Sequence, residues 1–290
     1  MTSNVPLVVT KISGGLGNQL FQYAAGLALA YRISAEHKLD LSWYEQEVRD
    51  DRRFNLEHFS IAAPIADNAD LERVRSCRLE QDMTVFDERL LDWSGDAYLC
   101  GYWVGAAYFV GADDGVRSAF AFKNSLVTDY ASRYVGQQRD LCRGGDVIAL
   151  HIRRGDNTRP ANFNRFHVHP NDYYEQACSR FPSGSVFVVF SDTPLDLEWC
   201  RLNLPRRDDC RYVYCDGHGW LFDFAIMMAC DHLIKSMSTF SWWAAWLNPA
   251  PGRRIISPHP IQGIGPQYAH ARQDEYLLPG WEVIVLEPGT

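Results

Sequence analysis

The chain has 290 residues, a formal net charge of -8 at pH 7 and 47% hydrophobic residues. That length suits one large domain or two lobes of about 150 residues each, and the composition is that of a folded globular protein. The acidic charge argues against a general nucleic-acid binder, which needs a basic face to neutralise phosphates.

Cysteine usage and the N-terminus suggest a cellular location. The eight cysteines include no C-x-x-C pair, so the sequence indicates neither a zinc site nor a thioredoxin-like motif. They are interpreted as small buried residues in a reducing compartment. The N-terminus lacks the basic and long apolar segments of a secretory signal, and no apolar run approaches the roughly 20 residues of a membrane helix. The expected location is the cytoplasm, with at most peripheral contact with the inner membrane.

The first half opens with a strand, a turn and a helix. The pattern predicts a strand over 7–13, a helix over about 18–34 and a second strand over 39–43. The turn between the first strand and the helix reads GGLGNQ, Gly14 to Gln19, a layout that often holds a nucleotide phosphate.

Two templates for phosphate-binding loops fail on this turn. A Walker loop ends in Gly-Lys-Ser/Thr, whereas these glycines run into Asn18 and Gln19. The dinucleotide fingerprint fits Gly15 and Gly17 but needs a third glycine where Leu20 stands. A nucleotide site is therefore sought in the second half of the chain.

The second half alternates strands with helices, which predicts a parallel, doubly wound sheet. The predicted strands are 147–152, 186–192, 211–215, 232–236 and 253–258. The segment LCRGGD at 141–146 is a candidate hinge, which divides the chain into lobes 1–143 and 144–290. The predicted architecture is α/β, with two Rossmann-like lobes facing across a cleft. Ligands are expected in the loops that follow the strands.

The motif HIRRGD, His151 to Asp156, lies where the first of these strands ends. Arg153 and Arg154 are permanently charged forks that suit a diphosphate. Asp156 can hold one fork in place or accept a proton. The alternative interpretation is a surface cluster of salt bridges, which contributes little to stability.

The motif SMSTFSWWAAWLN, 236–248, places hydroxyl groups at the start of an apolar helix. Ser238, Thr239 and Ser241 converge there with the free N–H groups of the first turn, which favours a bound anion. Plain N-capping is the alternative. The tryptophans on the helix are interpreted as packing residues, namely Trp242, Trp243 and Trp246.

The motif FSDTP, 190–194, follows another strand. Asp192 could accept a hydrogen bond from a nucleotide base or ribose. Alternatively, Ser191 or Asp192 caps the helix that starts near Pro194.

In order and spacing, GGLGNQLFQYAAGLALA, HIRRGD, FSDTP and STFSWWAAWLN resemble the alpha-1,2-fucosyltransferase family of bacterial and animal glycan synthesis. The resemblance spans residues 7 to about 260. It implies a GT-B fold, GDP-beta-L-fucose as the donor and inversion to an alpha linkage on O2 of a galactose-type acceptor. It implies no metal and no other cofactor. The expected partners are GDP-fucose and a galactose-terminated oligosaccharide or lipid-linked glycan, and no nucleic acid.

The resemblance also assigns roles to residues of the second lobe, 144–290, which is expected to bind GDP-fucose. Arg153 matches the arginine that contacts the donor beta-phosphate. The donor-binding set is His151, Arg153, Arg154, Asp192, Ser238, Thr239 and Ser241. Asp156 is the first candidate for a catalytic base, and His169 and His167 are second choices. Relatives tend to read Ala-Asn-Ser where this chain has Lys235 to Ser238, so Lys235 adds a charge near the phosphate.

The first lobe, 1–143, is expected to lie on the acceptor side, with a loop of Gly15, Gly17, Asn18 and Gln19. Asn18 is a candidate catalytic residue whose contact is either donor or acceptor, and a purely structural tight turn is the alternative. Two other functions remain open. One is fucose transfer with an alpha-1,6 or protein linkage, and the other is a non-catalytic glycan- or nucleotide-binding module.

Overall fold

A computed structural model describes residues 5–46, 52–81, 86–159, 170–259 and 276–285. The chain divides into two compact units, with the division between Lys123 and Asn124. The described residues from 277 onward belong to the second unit. Within the described ranges, no helix is both long and apolar enough to cross a membrane.

The first unit is built on parallel strands in the order β2-β1-β4-β3. Its elements are β1 Leu7–Lys11, α1 Leu16–Arg32, β2 Glu36–Asp40, α2 Ser42–Gln46, α3 Asn68–Val74, β3 Arg78–Glu80, α4 Arg89–Asp92, β4 Ala97–Cys100 and α5 Asp113–Ala119. The chain leaves β1 for β2 on one side and later returns to β4 on the other. The carboxyl ends of β1 and β4 therefore flank a topological switch point, where open α/β sheets bind ligands.

The second strand of this unit lies earlier than the sequence predicts. The prediction of 39–43 is wrong because β2 spans Glu36–Asp40 and pairs along its whole length with β1. The strand ends where Ser42 begins α2, and the backbone N–H of Ser42 donates to Asp40 Oδ1 at 2.8 Å. This local hydrogen bond turns the chain out of the sheet.

The second unit is built on parallel strands in the order β10-β9-β8-β5-β6-β7. Its elements are α6 Ser125–Arg139, β5 Val147–His151, α7 Asn171–Ser179, β6 Val186–Phe190, α8 Pro194–Asn203, β7 Arg211–Tyr214, α9 Trp220–Ala229, β8 His232–Ile234, α10 Thr239–Leu247, β9 Ile255–Pro258 and β10 Glu282–Ile284. This order confirms the predicted parallel, doubly wound sheet. Its switch point lies between β5 and β8, the two strands that precede HIRRGD and the serine-rich turn.

Burial explains why these strands form the centre of the sheet. Every residue of β5 and of β6 is buried, as expected for continuous apolar runs covered on both faces. On one face, the strands pack against α7 and α8 through Tyr173, Tyr174, Ala177, Leu197 and Cys200. The rigid sheet therefore presents the loop after each strand at a fixed position.

Helix α6 belongs to the second unit because it packs on α9 and on the start of β8. The Tyr130 ring lies 5.0 Å from that of Phe222, and Arg139 forms a salt bridge of 2.6 Å with Asp231. The segment 141–146, predicted as a hinge, therefore lies inside this unit, between α6 and β5.

Candidate functional site

The buried end of β5 is joined across the switch point to the loop after β8. His151 Nδ1 lies 2.8 Å from Ser236 Oγ, and both residues are buried. Burial, together with the nearby charges of Arg153 and Lys235, lowers the pKa of His151 to about 3. The imidazole is therefore neutral at physiological pH, and His151 holds the serine-rich turn in place without adding charge.

Arg153 lies between two carboxylates at the carboxyl edge of the sheet. Its guanidinium donates to Asp192 Oδ1 through one nitrogen and to Asp156 Oδ1 through another. The side chain is 26% exposed, so the charge is anchored yet reachable from solvent. Two charge-assisted hydrogen bonds from different nitrogens fix the plane of the Arg153 guanidinium.

The side chain of the adjacent Arg154 packs against helix α8. Its guanidinium lies 3.7 Å above the centre of the Trp199 ring, and its Nε is 3.4 Å from Asp196 Oδ1. Stacking on an aromatic face is a common arrangement for arginine. The two guanidinium groups of HIRRGD therefore have different surroundings, and that of Arg153 is the one between Asp156 and Asp192.

Asp192 holds the arginine loop and does not cap α8. It accepts from the backbone N–H of Arg154 at 2.7 Å in addition to its bond with Arg153. The N-cap of α8 is Thr193, whose Oγ1 accepts from Asp196 N–H at 3.1 Å. Ser191 instead donates to the carbonyl of Ile152 at 2.8 Å. The alternative in which Ser191 or Asp192 is the cap is therefore wrong.

The serine-rich turn leads into α10 at the same edge of the sheet. Ser238 is the N-cap residue, and its backbone N–H donates to the carbonyl of Ser236 at 2.9 Å. The Ser238 side chain makes no capping hydrogen bond with the helix. Plain N-capping therefore does not account for this hydroxyl. The helix N-terminus carries partial positive charge, which favours an anion there.

The buried Ser241 side chain stabilises the serine-rich turn through hydrogen bonds to its backbone. It is fully buried, and its Oγ donates to the carbonyls of Ser236 at 3.5 Å and Ser238 at 3.4 Å. Ser238 and Thr239 are only half-buried, so of the predicted hydroxyls these two can meet a ligand. The tryptophans of α10 are buried, which confirms the packing interpretation for Trp242, Trp243 and Trp246.

The glycine-rich loop of the first unit follows β1 at that unit's own switch point. Gly14 has a φ of +73°, and a Cβ there would lie 3.2 Å from Asn18 Nδ2 and 3.6 Å from Tyr102 Cε1. Gly15 has a φ of -85°, which any residue can adopt. Gly14 is thus the glycine that this turn needs.

Asn18 and Gln19 differ sharply in exposure. Gln19 is fully buried; its amide nitrogen donates to the carbonyls of Gly14 at 3.0 Å and Arg53 at 2.8 Å, and its oxygen accepts from Asn55 N–H at 2.9 Å. Gln19 therefore holds the loop together. Asn18 is half-buried on the first turn of α1, and of the two it is the side chain that a ligand can reach.

A further cluster, at the end of β7, was missed by the sequence reasoning. Cys215 Sγ lies 3.4 Å from His218 Nδ1 and donates to Asp223 Oδ1 at 3.3 Å. Burial raises the pKa of Asp223 to about 6. Within the described residues this is the group whose donor atoms, all within 4.8 Å of one another, could share a metal ion. The spacing C-x-x-H-x4-D was the available signal, and the absence of a metal requirement stays a prediction.

Comparison with known proteins identifies the family. Residues 6–284 match the family model for glycosyl transferase family 11. The chain belongs to glycosyl transferase family 11.

Named relatives of this family 11 glycosyltransferase confirm the resemblance seen in the motifs. An alpha-1,2-colitosyltransferase of Escherichia coli is 27% identical over 281 residues, covering 88% of this chain and 92% of the relative. The Escherichia coli O-antigen biosynthesis glycosyltransferase WbnK is 28% identical over 289 residues, covering 85% and 92%. Human galactoside alpha-(1,2)-fucosyltransferase 1 is 27% identical over 253 residues, covering 81% of this chain and 64% of the relative.

Solved structures confirm the fold class of the family 11 chain. NodZ alpha-1,6-fucosyltransferase soaked with GDP-fucose matches with a TM-score of 0.53 and 14% identity, covering 90% of this chain and 97% of NodZ. A variant of Arabidopsis thaliana FUT1 in complex with GDP matches with a TM-score of 0.53 and 13% identity, covering 91% and 74%. The predicted α/β GT-B class is confirmed by these likenesses.

Gly155 offers a test of the arginine loop in this glycosyltransferase. Its φ is +32°, and a Cβ there would lie 2.9 Å from Asp192 Cγ. We expect Gly155→Ala to push Asp192 away from Arg153 and to lower kcat for glycosyl transfer about 10- to 100-fold, since misplacing a positioned group by about an ångström has that effect. Steady-state kinetics on the folded variant measures it.

The matched control for this variant is Gly144→Ala. Gly144 has a φ of +86° but no neighbouring atom within 4 Å of an added Cβ. Both variants therefore carry backbone strain, and only one reaches Asp192. Equal kinetic losses in the two would contradict the role of Asp192 in holding Arg153.

Proposed function

We propose that this chain is an inverting fucosyltransferase that forms an alpha-1,2 linkage. It moves L-fucose from GDP-beta-L-fucose to O2 of a terminal galactose in an oligosaccharide, without a metal. The observation that carries the proposal is the position of Arg153, anchored by Asp156 and Asp192 at the switch point. The N-terminus of α10 lies in the loop after the neighbouring strand β8.

The geometry supports stabilisation of a diphosphate leaving group. As the bond between fucose C1 and the beta-phosphate oxygen breaks, negative charge develops on that oxygen. A guanidinium fixed before the reaction and the N–H groups of a helix N-terminus stabilise such charge without reorganising. Removing one donor of this kind typically costs about 10²- to 10³-fold in kcat.

Inversion requires the acceptor hydroxyl to attack from the face opposite the diphosphate. We propose Asp156 as the group that accepts the proton from the acceptor O2, because it lies three residues from Arg153 in the same loop. The second-choice bases, His167 and His169, lie outside the described residues. Asn18 is proposed to contact the acceptor or the donor sugar.

The comparisons support the proposed donor and linkage. Relatives named for alpha-1,2 transfer align over more than four fifths of this chain. One solved structure of similar fold contains GDP, and another comes from crystals soaked with GDP-fucose. The proposed acceptor is a free or lipid-linked glycan, and the proposed location is the cytoplasm, at most peripheral to the membrane.

A second donor is favoured by one specific observation. One relative that aligns over 88% of this chain is named as a colitosyltransferase. Colitose is L-fucose without the hydroxyl at C3, so GDP-colitose presents the same diphosphate to Arg153 and α10. Under this candidate function the reaction and linkage are unchanged, and only the transferred sugar differs.

The test incubates the chain separately with GDP-fucose and GDP-colitose, using lactose as the acceptor. We expect GDP release together with a product whose NMR spectrum shows an alpha linkage to O2 of galactose. An alpha-1,6 product would contradict the proposed linkage. GDP-fucose binding without transfer to any glycan in an acceptor screen would favour the non-catalytic module. Loss of activity in EDTA with recovery in manganese would contradict the metal-free mechanism.

A further inference from the structure

Lys235 is a buried lysine directly behind the serine-rich turn. The residue is 1% exposed. Its Nζ donates to Ser257 Oγ at 3.1 Å and to the carbonyl of Ser236 at 3.3 Å, and it lies 5.8 Å from the centre of the Trp281 ring. All three contacts are with neutral groups.

Lys235 forms no ion pair among the described residues, although buried charges in proteins are normally paired. The titratable or charged groups on the surrounding elements are His151 and the nearby Arg153 with β5, Asp172, Tyr173, Tyr174, Glu175 and Cys178 on α7, His232 on β8, Arg254 and His259 beside β9, and Glu282 on β10. Of the acidic groups, Glu282 is bonded to Arg254 at 2.7 Å, and Asp172 and Glu175 are exposed. Burial lowers the pKa of Lys235 to about 7.

The Lys235 amine contacts the serine-rich turn through the backbone carbonyl of Ser236. The carbonyl of Ser236 accepts from Lys235 Nζ, from the Ser238 N–H at 2.9 Å and from Ser241 Oγ at 3.5 Å. The Lys235 backbone is fixed as well, because its N–H donates to Ile256 at 2.9 Å and its carbonyl accepts from Tyr173 at 2.6 Å. The amine of Lys235 therefore shares the Ser236 carbonyl with the N-cap residue of α10.

We propose that Lys235 is a positioning residue that supplies the buried counter-charge for the donor diphosphate, so that donor binding takes up a proton. The inference rests on the proposed function, which puts a diphosphate at this turn. In the free enzyme near pH 8 the amine is mostly neutral. The arriving anion stabilises the ammonium form, and the proton comes from the solvent.

The sign of the pH dependence follows from linkage. A cation that is stabilised in the complex makes binding weaken as pH rises above the free-enzyme pKa of about 7. From pH 7 to pH 8 the affinity for GDP should fall about fivefold. His151, with its pKa lowered to about 3, and Tyr173, with its pKa raised well above 10, do not titrate in this range.

The experiment is calorimetric titration of GDP into the full chain at pH 8, in two buffers of different ionisation enthalpy. The difference between the observed enthalpies gives the protons taken up per GDP. We expect about 0.9 proton for the wild type, because roughly nine tenths of the amine is neutral there. Lys235→Met, of similar length and apolar, should take up close to none and bind GDP at least tenfold more weakly at pH 7.

Lys38→Met is the matched control, since Lys38 pairs with Asp70 at 2.8 Å in the first unit. It should keep both the proton uptake and the affinity of the wild type. Circular dichroism checks that each variant is folded. GDP binding by the wild type without proton uptake, or uptake retained in Lys235→Met, would overturn the inference alone. Absence of GDP binding to the wild type would contradict the proposed function as well.

Discussion

Replacing Arg153 with alanine is expected to lower kcat for sugar transfer by about a thousandfold. The guanidinium is held by Asp156 and Asp192, so under the proposed function its charge stabilises the leaving diphosphate at no cost in reorganisation. The variant loses this charge and leaves two carboxylates close together. Transfer from saturating GDP-fucose, measured as GDP release, reports the loss.

Arg139→Ala provides the matched control for this result. Arg139 also forms two hydrogen bonds with an aspartate, Asp231, in the same unit. That pair lies at the amino end of β5, where Asp231 accepts from the Val147 N–H at 2.9 Å. We expect Arg139→Ala to keep wild-type kcat. Full activity in folded Arg153→Ala would refute the leaving-group role.

Gly26→Ala is expected to destabilise the first unit by about 2 to 3 kcal/mol, through overpacking. A Cβ on Gly26 would lie 2.0 Å from Thr10 Oγ1 and 2.5 Å from His37 Nε2. These two side chains are hydrogen-bonded to each other at 3.0 Å beneath α1, and Thr10 is fully buried. The clash outweighs the gain of about 1 kcal/mol that alanine brings to a helix. Urea unfolding followed by circular dichroism measures the change.

Gly115→Ala separates this clash from the general effect of alanine in a helix. Gly115 is exposed on α5 of the same unit, and an added Cβ would have no neighbour within 4 Å. The control should be neutral or slightly stabilising. A Gly26→Ala variant as stable as Gly115→Ala would show that α1 can move away from β1, against the packing described above.

The sequence by itself determined the parallel second sheet and predicted a candidate site in the loops after its strands. Continuous apolar runs such as 186–190 predict strands covered on both faces, and their alternation with helices predicts parallel pairing; the structure confirms both for β6 Val186–Phe190. Because parallel strands place their carboxyl ends on one edge, the sequence predicts that Arg153 and Ser238 lie in the same region. The family resemblance in these motifs is confirmed by the match over 6–284.

Only the tertiary structure decided which side chains of each motif a ligand can reach. Arg153 and Arg154 are chemically identical, but one lies between two carboxylates and the other stacks on Trp199. Likewise Ser241 is turned inward, while Ser238 is half-buried at the helix cap. Sequence spacing places residues on a loop, whereas contacts between elements distant in the chain select the orientation of each side chain.

Lys235 shows most clearly that the local sequence does not determine the surroundings of a side chain. In the sequence it is one lysine after an apolar run, and the motif predicts only a charge near the phosphate. Its burial depends on Ser257 of β9 and on Trp281, 22 and 46 residues further along the chain. Desolvation is a property of the assembled surroundings and not of the local sequence. The sequence therefore determined that an amine is present, and the tertiary structure decided that this amine is buried with no ion-pair partner among the described residues.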